Sequence, residues 1–219
     1  MPRAAISWSG GKDSLAALAA VRDRLTVVTA LTMFDEAGER SRSHGLRRTL
    51  VEAQAARLGL RSVIARCGWD TYDAVFREAL IALAADGITH VVFGDLVFAE
   101  HREWAEARCA EAGVEAVEPL FGIPTADLFD TFTTSGVRAL LVTVREPWLD
   151  ETWLGRPLEL AMKPIFALRG IDPCGENGEY HTAVVDSPLF SRPIDVAHGV
   201  RRRQGECIAL DLIPDASRG

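Results

Sequence analysis

Apolar positions along the 219-residue chain follow two alternating rhythms, short unbroken runs and longer stretches with apolar residues every three or four places. The runs predict buried strands: Ala4 to Trp8, Leu25 to Met33, Arg61 to Arg66, His90 to Phe93, Val114 to Val117 and Val137 to Val144. Between them the helical rhythm recurs. Leu46, Leu50, Ala53 and Leu58 mark a helix ending at Gly59, and Tyr72, Val75, Phe76, Ala79, Leu80 and Leu83 mark another ending near Gly87. Further helices are predicted from about Glu100 to Ala112 and from a Thr125 cap to Gly136. Phe34 to Ser43 reads as a polar loop.

Helix follows strand each time, which predicts an α/β fold with a doubly wound, mainly parallel sheet. After Pro147 the rhythm breaks. Irregular chain leads to a strand at Tyr180 to Val185 and a last one at Cys207 to Ile213, with Pro188 and Pro193 between. We therefore expect an α/β domain over residues 1–146 and a small C-terminal α+β subdomain over 147–219 that completes the site.

Between the first strand and Leu15 stands Ser9-Gly10-Gly11-Lys12-Asp13-Ser14. Two glycines let backbone approach a bound group closely, and a helix start offers unpaired N–H donors with a positive dipole end, so the target is a phosphate. Composition strengthens this. Lys12 and Lys163 are the only lysines among 24 basic residues, so a compact ammonium has been placed in the glycine loop of an otherwise arginine-using chain. Strand-end loops on one sheet edge bring Gly94-Asp95 toward the same crevice.

The net charge of -7 disfavours nonspecific nucleic-acid binding, although Arg201 to Arg203 form a local basic spot. No apolar stretch reaches the roughly 20 residues a membrane span needs, and Met1-Pro2-Arg3 leads directly into a strand, so a cytoplasmic protein is expected. The four cysteines form no C-x-x-C pair, which removes support for zinc ribbons and dithiol sites. Cys174 lacks an identifiable basic partner and reads as a core thiol.

The loop is not G-x-x-x-x-G-K-[ST], because Ile6 and Asp13 stand where a glycine and a hydroxyl belong. Ser9 to Ser14 resembles the pyrophosphate loop of the ATP pyrophosphatase superfamily, with its adenine nucleotide alpha hydrolase-like (HUP-type) fold. Further motifs narrow the resemblance: Asp172 to Thr182 (DPCGENGEYHT), Asp186 to Phe190, Gly94-Asp95 and Gly155-Arg156 look like the signature of the diphthine-ammonia ligase family, in its bacterial-type form. The similarity runs from Ala4 to about Ile194.

The resemblance implies a C–N ligase that cleaves ATP to AMP and pyrophosphate, adenylates a small-molecule or protein-borne carboxylate, and transfers ammonia to it. It implies ATP and Mg²⁺. Ser9, Gly10, Gly11 and Ser14 would hold phosphate, Lys12 would neutralise it, and Asp13 would hold the metal. Met33 stands where superfamily members offer backbone to adenine, or is simply core. Gly94 and Asp95 face the nucleotide or substrate, with helix capping the other reading of Asp95. His44 closes over ATP or lies on the surface. Glu176 and Glu179 would bind ammonium or take its proton. No segment reads as a glutaminase, so free ammonium or a supplying partner is expected. Relatives from archaea and eukaryotes carry a Tyr-Gln-Arg-x-Arg type run where this chain has Glu100 to Trp104, with Arg102 alone matching, which leaves the carboxylate open. A tRNA-modifying thiolase or lysidine-type ligase and a nonenzymatic ATP sensor are the alternatives, and the oligomeric state, a homodimer included, is open.

Overall fold

The computed structural model describes residues 1–215, so the last four residues of the expected C-terminal subdomain lie outside it. Strands β1 (Arg3–Ser7), β2 (Thr26–Phe34), β3 (Arg61–Arg66), β4 (His90–Val92) and β5 (Glu115–Val117) form one parallel sheet in the order β3-β2-β1-β4-β5. Its two faces are read from alternate residues. Ala4, Ile6, Ala30, Phe34 and Val92 point to one core with helices α1 (Lys12–Val21) and α2 (Arg48–Arg57). Ala5, Leu31, Met33, Val91 and Phe93 point to the other, against α3 (Tyr72–Ala85) and α4 (Ala99–Glu111). Burial on both faces is why these strands read as apolar runs. The expected doubly wound α/β class is the one the chain adopts.

One expected element changes place. The strand near 137–144, β6 (Arg138–Arg145), does not extend the parallel sheet; it pairs antiparallel with β7 (Tyr180–Asp186) and β9 (Cys207–Pro214). An apolar run records burial and says nothing about partner direction. The second sheet has the order β7-β6-β9-β8, and its edge strand β8 (Val196–Gln204) was not predicted. That edge is polar and mostly exposed, with Arg201 and Arg203 paired to Glu151 and Glu146, so it carries no apolar alternation and resists edge-to-edge pairing.

Helix α5 (Thr125–Thr134) begins after Pro124, with no side-chain cap. The expected Thr125 cap is corrected: its hydroxyl donates to Asp172 Oδ2 at 2.7 Å, tying α5 to the 172–180 turn. Helix α6 (Lys163–Arg169) ends at Gly170, whose φ of 68° leads the chain into that turn. The first core continues into the second sheet through Leu141, Val144, Val184, Leu210 and Leu212, so the two sheets share one interior. Among the described residues, no helix is long and apolar enough to cross a membrane.

Candidate nucleotide site

Strand order reverses between β1 and β4, and the loops leaving their carboxyl ends meet there. Gly10 adopts φ 81°, turning the chain from β1 toward α1. Its carbonyl accepts from the Gln54 side-chain amide at 2.9 Å and from the Val184 N–H at 2.9 Å. The Lys12 N–H donates to Thr182 Oγ1 at 3.1 Å. β7 of the second sheet is therefore the back wall of the loop. The Ser14 hydroxyl donates to the Gly11 carbonyl at 3.1 Å and Ser9 Oγ accepts from the Gly11 N–H at 3.2 Å, which sets the loop's shape from within. At the start of α1 the N–H groups of Asp13 and Ser14 precede any intrahelical acceptor, as a phosphate ligand requires.

Lys12 is 4% exposed, and its ammonium bonds both Asp13 carboxylate oxygens at 2.8 Å and the Cys174 carbonyl. It also lies 5.5 Å from the centre of the Tyr180 ring. Burial opposes the charge, but Asp13 and then the other acidic groups nearby outweigh it and hold the Lys12 pKa above its ordinary value. A permanent cation thus faces a polar cavity of about 180 Å³ lined by Lys12, Asp13, His44, Glu176, Tyr180 and His181 among others.

His44 sits over the glycine loop. A Cβ on Gly11 would come within 2.3 Å of its ring, so only glycine permits the contact. Its Nδ1 bonds the Thr182 carbonyl at 2.9 Å; because a carbonyl only accepts, Nδ1 carries the proton and Nε2 is left as acceptor. The ring stacks on His181 with centroids 4.7 Å apart. Burial, then His181, drives the His44 pKa far down, and burial, then the Lys12 charge, takes His181 to about 4. Both imidazoles are neutral at pH 7.

The carboxylates divide. Glu176 faces the cavity, and burial, followed by Asp13, pushes its carboxyl up to about 7 against the opposing pull of Lys12. Glu179 is fully buried and does not line the cavity. Its oxygens accept from the backbone N–H groups of Asp172 and Asn177 at 2.9 and 3.0 Å and from the Asn177 amide at 3.1 Å. The expectation that both carboxylates aim at one point is corrected: backbone donors inside the turn capture Glu179 and leave Glu176 outward. Asp95 lies 3.5 Å from His101 Nδ1, and burial raises its pKa, with Asp13 adding to the rise and His101 opposing it. At the end of β5 both Glu118 oxygens are buried without a hydrogen-bond partner, and burial with Asp95 nearby pushes that carboxyl to about 7.

Of the remaining expected residues, Ser9, Gly10, Gly11 and Ser14 form the loop described. Gly94 touches it: a Cβ there would lie 2.9 Å from both Asp13 C and Ser14 N, so the turn leaving β4 comes as near to α1 as backbone allows. Gly94→Ala must push the start of α1 aside. We expect about 1–3 kcal/mol lost in thermal unfolding, typical of overpacking, with nucleotide affinity falling in a direct titration; unchanged values for both refute the contact's importance. Met33 is buried in the second core and its carbonyl accepts from the Arg42 N–H at 2.9 Å, so it is not gathered into the cavity. Among the described residues, no three His, Cys, Asp or Glu side chains are grouped to hold a metal ion by themselves. Asp13, whose carboxylate lines the cavity, is the oxygen donor that an ion shared with phosphate oxygens would use there.

Sequence reasoning missed Gln54, and it placed Tyr180, His181 and Thr182 in the 172–182 motif without giving them individual roles. Gln54 is fully buried and joins Trp8 Nε1 (3.0 Å), the Gly10 carbonyl and the Val184 carbonyl (2.8 Å). A signal existed, since Gln54 is a polar residue on the buried face of α2 beside Leu50 and Val51.

Two family models match the chain, the diphthamide synthase N-terminal domain over residues 2–116 and the diphthamide synthase C-terminal domain over 124–210. Relatives named diphthine–ammonia ligase include one from Bos taurus, 25% identical over 61% of this chain and 52% of its own length. Another, from Homo sapiens, is 25% identical over 64% of this chain and 54% of its own. A third, from Schizosaccharomyces pombe, is 30% identical over 46% of this chain and 17% of its own. The chain thus spans about half the length of the mammalian relatives. A solved structure titled as a predicted subunit of tRNA methyltransferase from Methanocaldococcus jannaschii aligns over 89% of this chain with a TM-score of 0.48 and 16% identity. Because the two models between them take in the glycine loop, the β4 end and the whole 172–182 turn, the chain belongs to the diphthamide synthase family.

Proposed function

We propose that the chain is an ATP-dependent, AMP-forming ligase that adenylates a carboxylate and transfers ammonia to it. The observation that supports this reading is the seating of β7 on the glycine loop, through Lys12 N–H to Thr182 and Val184 N–H to Gly10. That contact puts a buried ammonium, a carboxylate pair partner and a half-buried carboxyl near neutrality around one cavity.

Bound ATP, with Mg²⁺, supplies a phosphorus open to attack by the carboxylate and a pyrophosphate leaving group. The first-turn N–H groups of α1 and the Lys12 ammonium meet the charge that grows on the leaving oxygens. Asp13 holds Lys12 in place and would be the protein oxygen that holds the metal. Glu176 receives the proton that ammonium must lose before nitrogen can attack the activated acyl carbon. Glu179 shapes the turn that presents Glu176 and makes no contact with the reacting atoms. Phe98 and His101 bound the cavity opposite, with Asp95 behind His101 and outside the lining, and His44 covers the loop.

The test is incubation with ATP, Mg²⁺ and ammonium across a panel of free and protein-borne carboxylates, reading AMP, pyrophosphate and amide together. The reading expects AMP in proportion to amide and no turnover without ammonium. ATP binding with no AMP across the panel would favour a sensor, and tight, salt-sensitive tRNA binding would favour a tRNA-modifying enzyme.

A further inference from the structure

The loop from residue 35 to 47 carries His44 over Gly11, and it is built as a unit. Asp35 Oδ1 accepts from the N–H groups of Glu39 and Arg40 at 2.9 and 3.3 Å, and Ser41 Oγ accepts from the Leu46 N–H at 3.0 Å. Residues 40 and 47 face each other across an antiparallel bridge. Two guanidinium groups at the base of the loop therefore stand side by side.

Both guanidinium groups grip one carboxylate. Asp211, in the middle of β9, accepts from Arg40 Nη1 at 2.6 Å and Nη2 at 3.2 Å, from Arg47 Nε at 2.8 Å, and from Arg47 Nη2. Its side chain is 2% exposed. A carboxylate so buried is costly unless paired; here burial tends to raise its pKa, and the arginine bonds overcome this and lower it. β8 makes room for the arrangement, because a Cβ on Gly199 would crowd Asp211 Cβ at 3.2 Å and Oδ2 at 3.3 Å. Asp211 itself does not line the cavity. The second sheet thus reaches the His44 loop by a route separate from β7.

We propose that Asp211 is a positioning residue that latches the His44 loop to the second sheet and, through His44, sets the affinity of the nucleotide cavity. The affinity claim rests on reading that cavity as an ATP site. With the latch intact, His44 is held flat on the glycine loop before ligand arrives. Without it, the loop keeps its internal bonds, the His44 bond to the Thr182 carbonyl and the Arg42 bonds to the Met33 and Cys67 carbonyls, and loses its charged anchor to β9.

Asp211→Asn keeps the shape and removes the charge. The KM for ATP is expected to rise about tenfold, as for losing one charged hydrogen-bonded pair, with kcat within about twofold because Lys12 and Glu176 are untouched. Amide hydrogen exchange across residues 35–47 is expected to quicken about tenfold or more while β1 and β7 stay protected. Should Asp211→Asn fail to fold, Arg47→Gln, at a side chain 37% exposed, is expected to give the same changes at smaller size. Unchanged loop exchange overturns the latch. Faster loop exchange with unchanged KM, or with a fall in kcat alone, overturns the action through His44. If the unaltered protein binds no ATP, the reading of the cavity falls and the affinity claim with it, while the exchange result still decides the latch.

Discussion

Lys12→Met is expected to end AMP formation in a protein that still folds. The cation is buried and aimed by Asp13 and the Cys174 carbonyl, so no solvent ion can take its place at the leaving phosphates. Removing one preorganised charge-stabilising donor costs about 10²–10³ in rate, and a full point charge belongs at the upper end. Methionine fills the same channel with a side chain of similar length. Asp13 is 25% exposed and stays solvated when its partner is gone, so the melting temperature should move little. The other lysine supplies the control. Lys163 bonds Asp130 and the Ala126 carbonyl away from the cavity, and Lys163→Met should leave turnover unchanged. Retained AMP formation in Lys12→Met would remove the lysine from the mechanism.

Glu176→Gln separates catalysis from stability. A carboxyl whose pKa rises from 4.5 to about 7 on folding binds its proton more tightly in the native state. Its contribution to stability is full below pH 4.5, declines as the pH rises, and is lost above about 7. Glutamine carries no such pH dependence. The variant should therefore melt higher than the parent at pH 8 and close to it at pH 4.5, while ammonium-dependent turnover falls by about 10²–10⁴, the usual worth of a positioned base. The rise in parental turnover through pH 7 should vanish with it. Ammonium-dependent turnover that is unchanged, or an inflection near 7 that persists, would assign the proton transfer elsewhere.

Where the conformation is local, it was legible. The strand, glycine turn and helix of the loop lie within a short stretch, and each step follows from residue type: an apolar run, glycine at a positive φ, a helix start. What was illegible depended on residues distant in sequence. Nothing local says that β6 leaves the parallel sheet, since Arg138 to Arg145 is apolar enough for either. β8 was invisible because an exposed arginine-rich edge has no buried face to imprint a pattern. Glu176 and Glu179 flank the same glycine, and only the backbone N–H groups of Asp172 and Asn177 distinguish the carboxylate held inside from the one turned out. Thr125 looked like a cap because threonine is one of the residues whose side-chain oxygen can cap a helix start, yet Asp172 offered its hydroxyl a charged acceptor.

The seating of β7 on the glycine loop also bears on the order in which the molecule is made. Lys12 and Thr182 are 170 positions apart, so the loop emerges from synthesis long before the strand that completes it. Contacts that close so long a stretch of chain form slowly compared with those inside a helix or between neighbouring strands. Until they form, the Gly10 carbonyl and the Lys12 amide lack their β7 partners. If the cavity is the ATP site proposed above, competence to bind would arrive only with the closing strands.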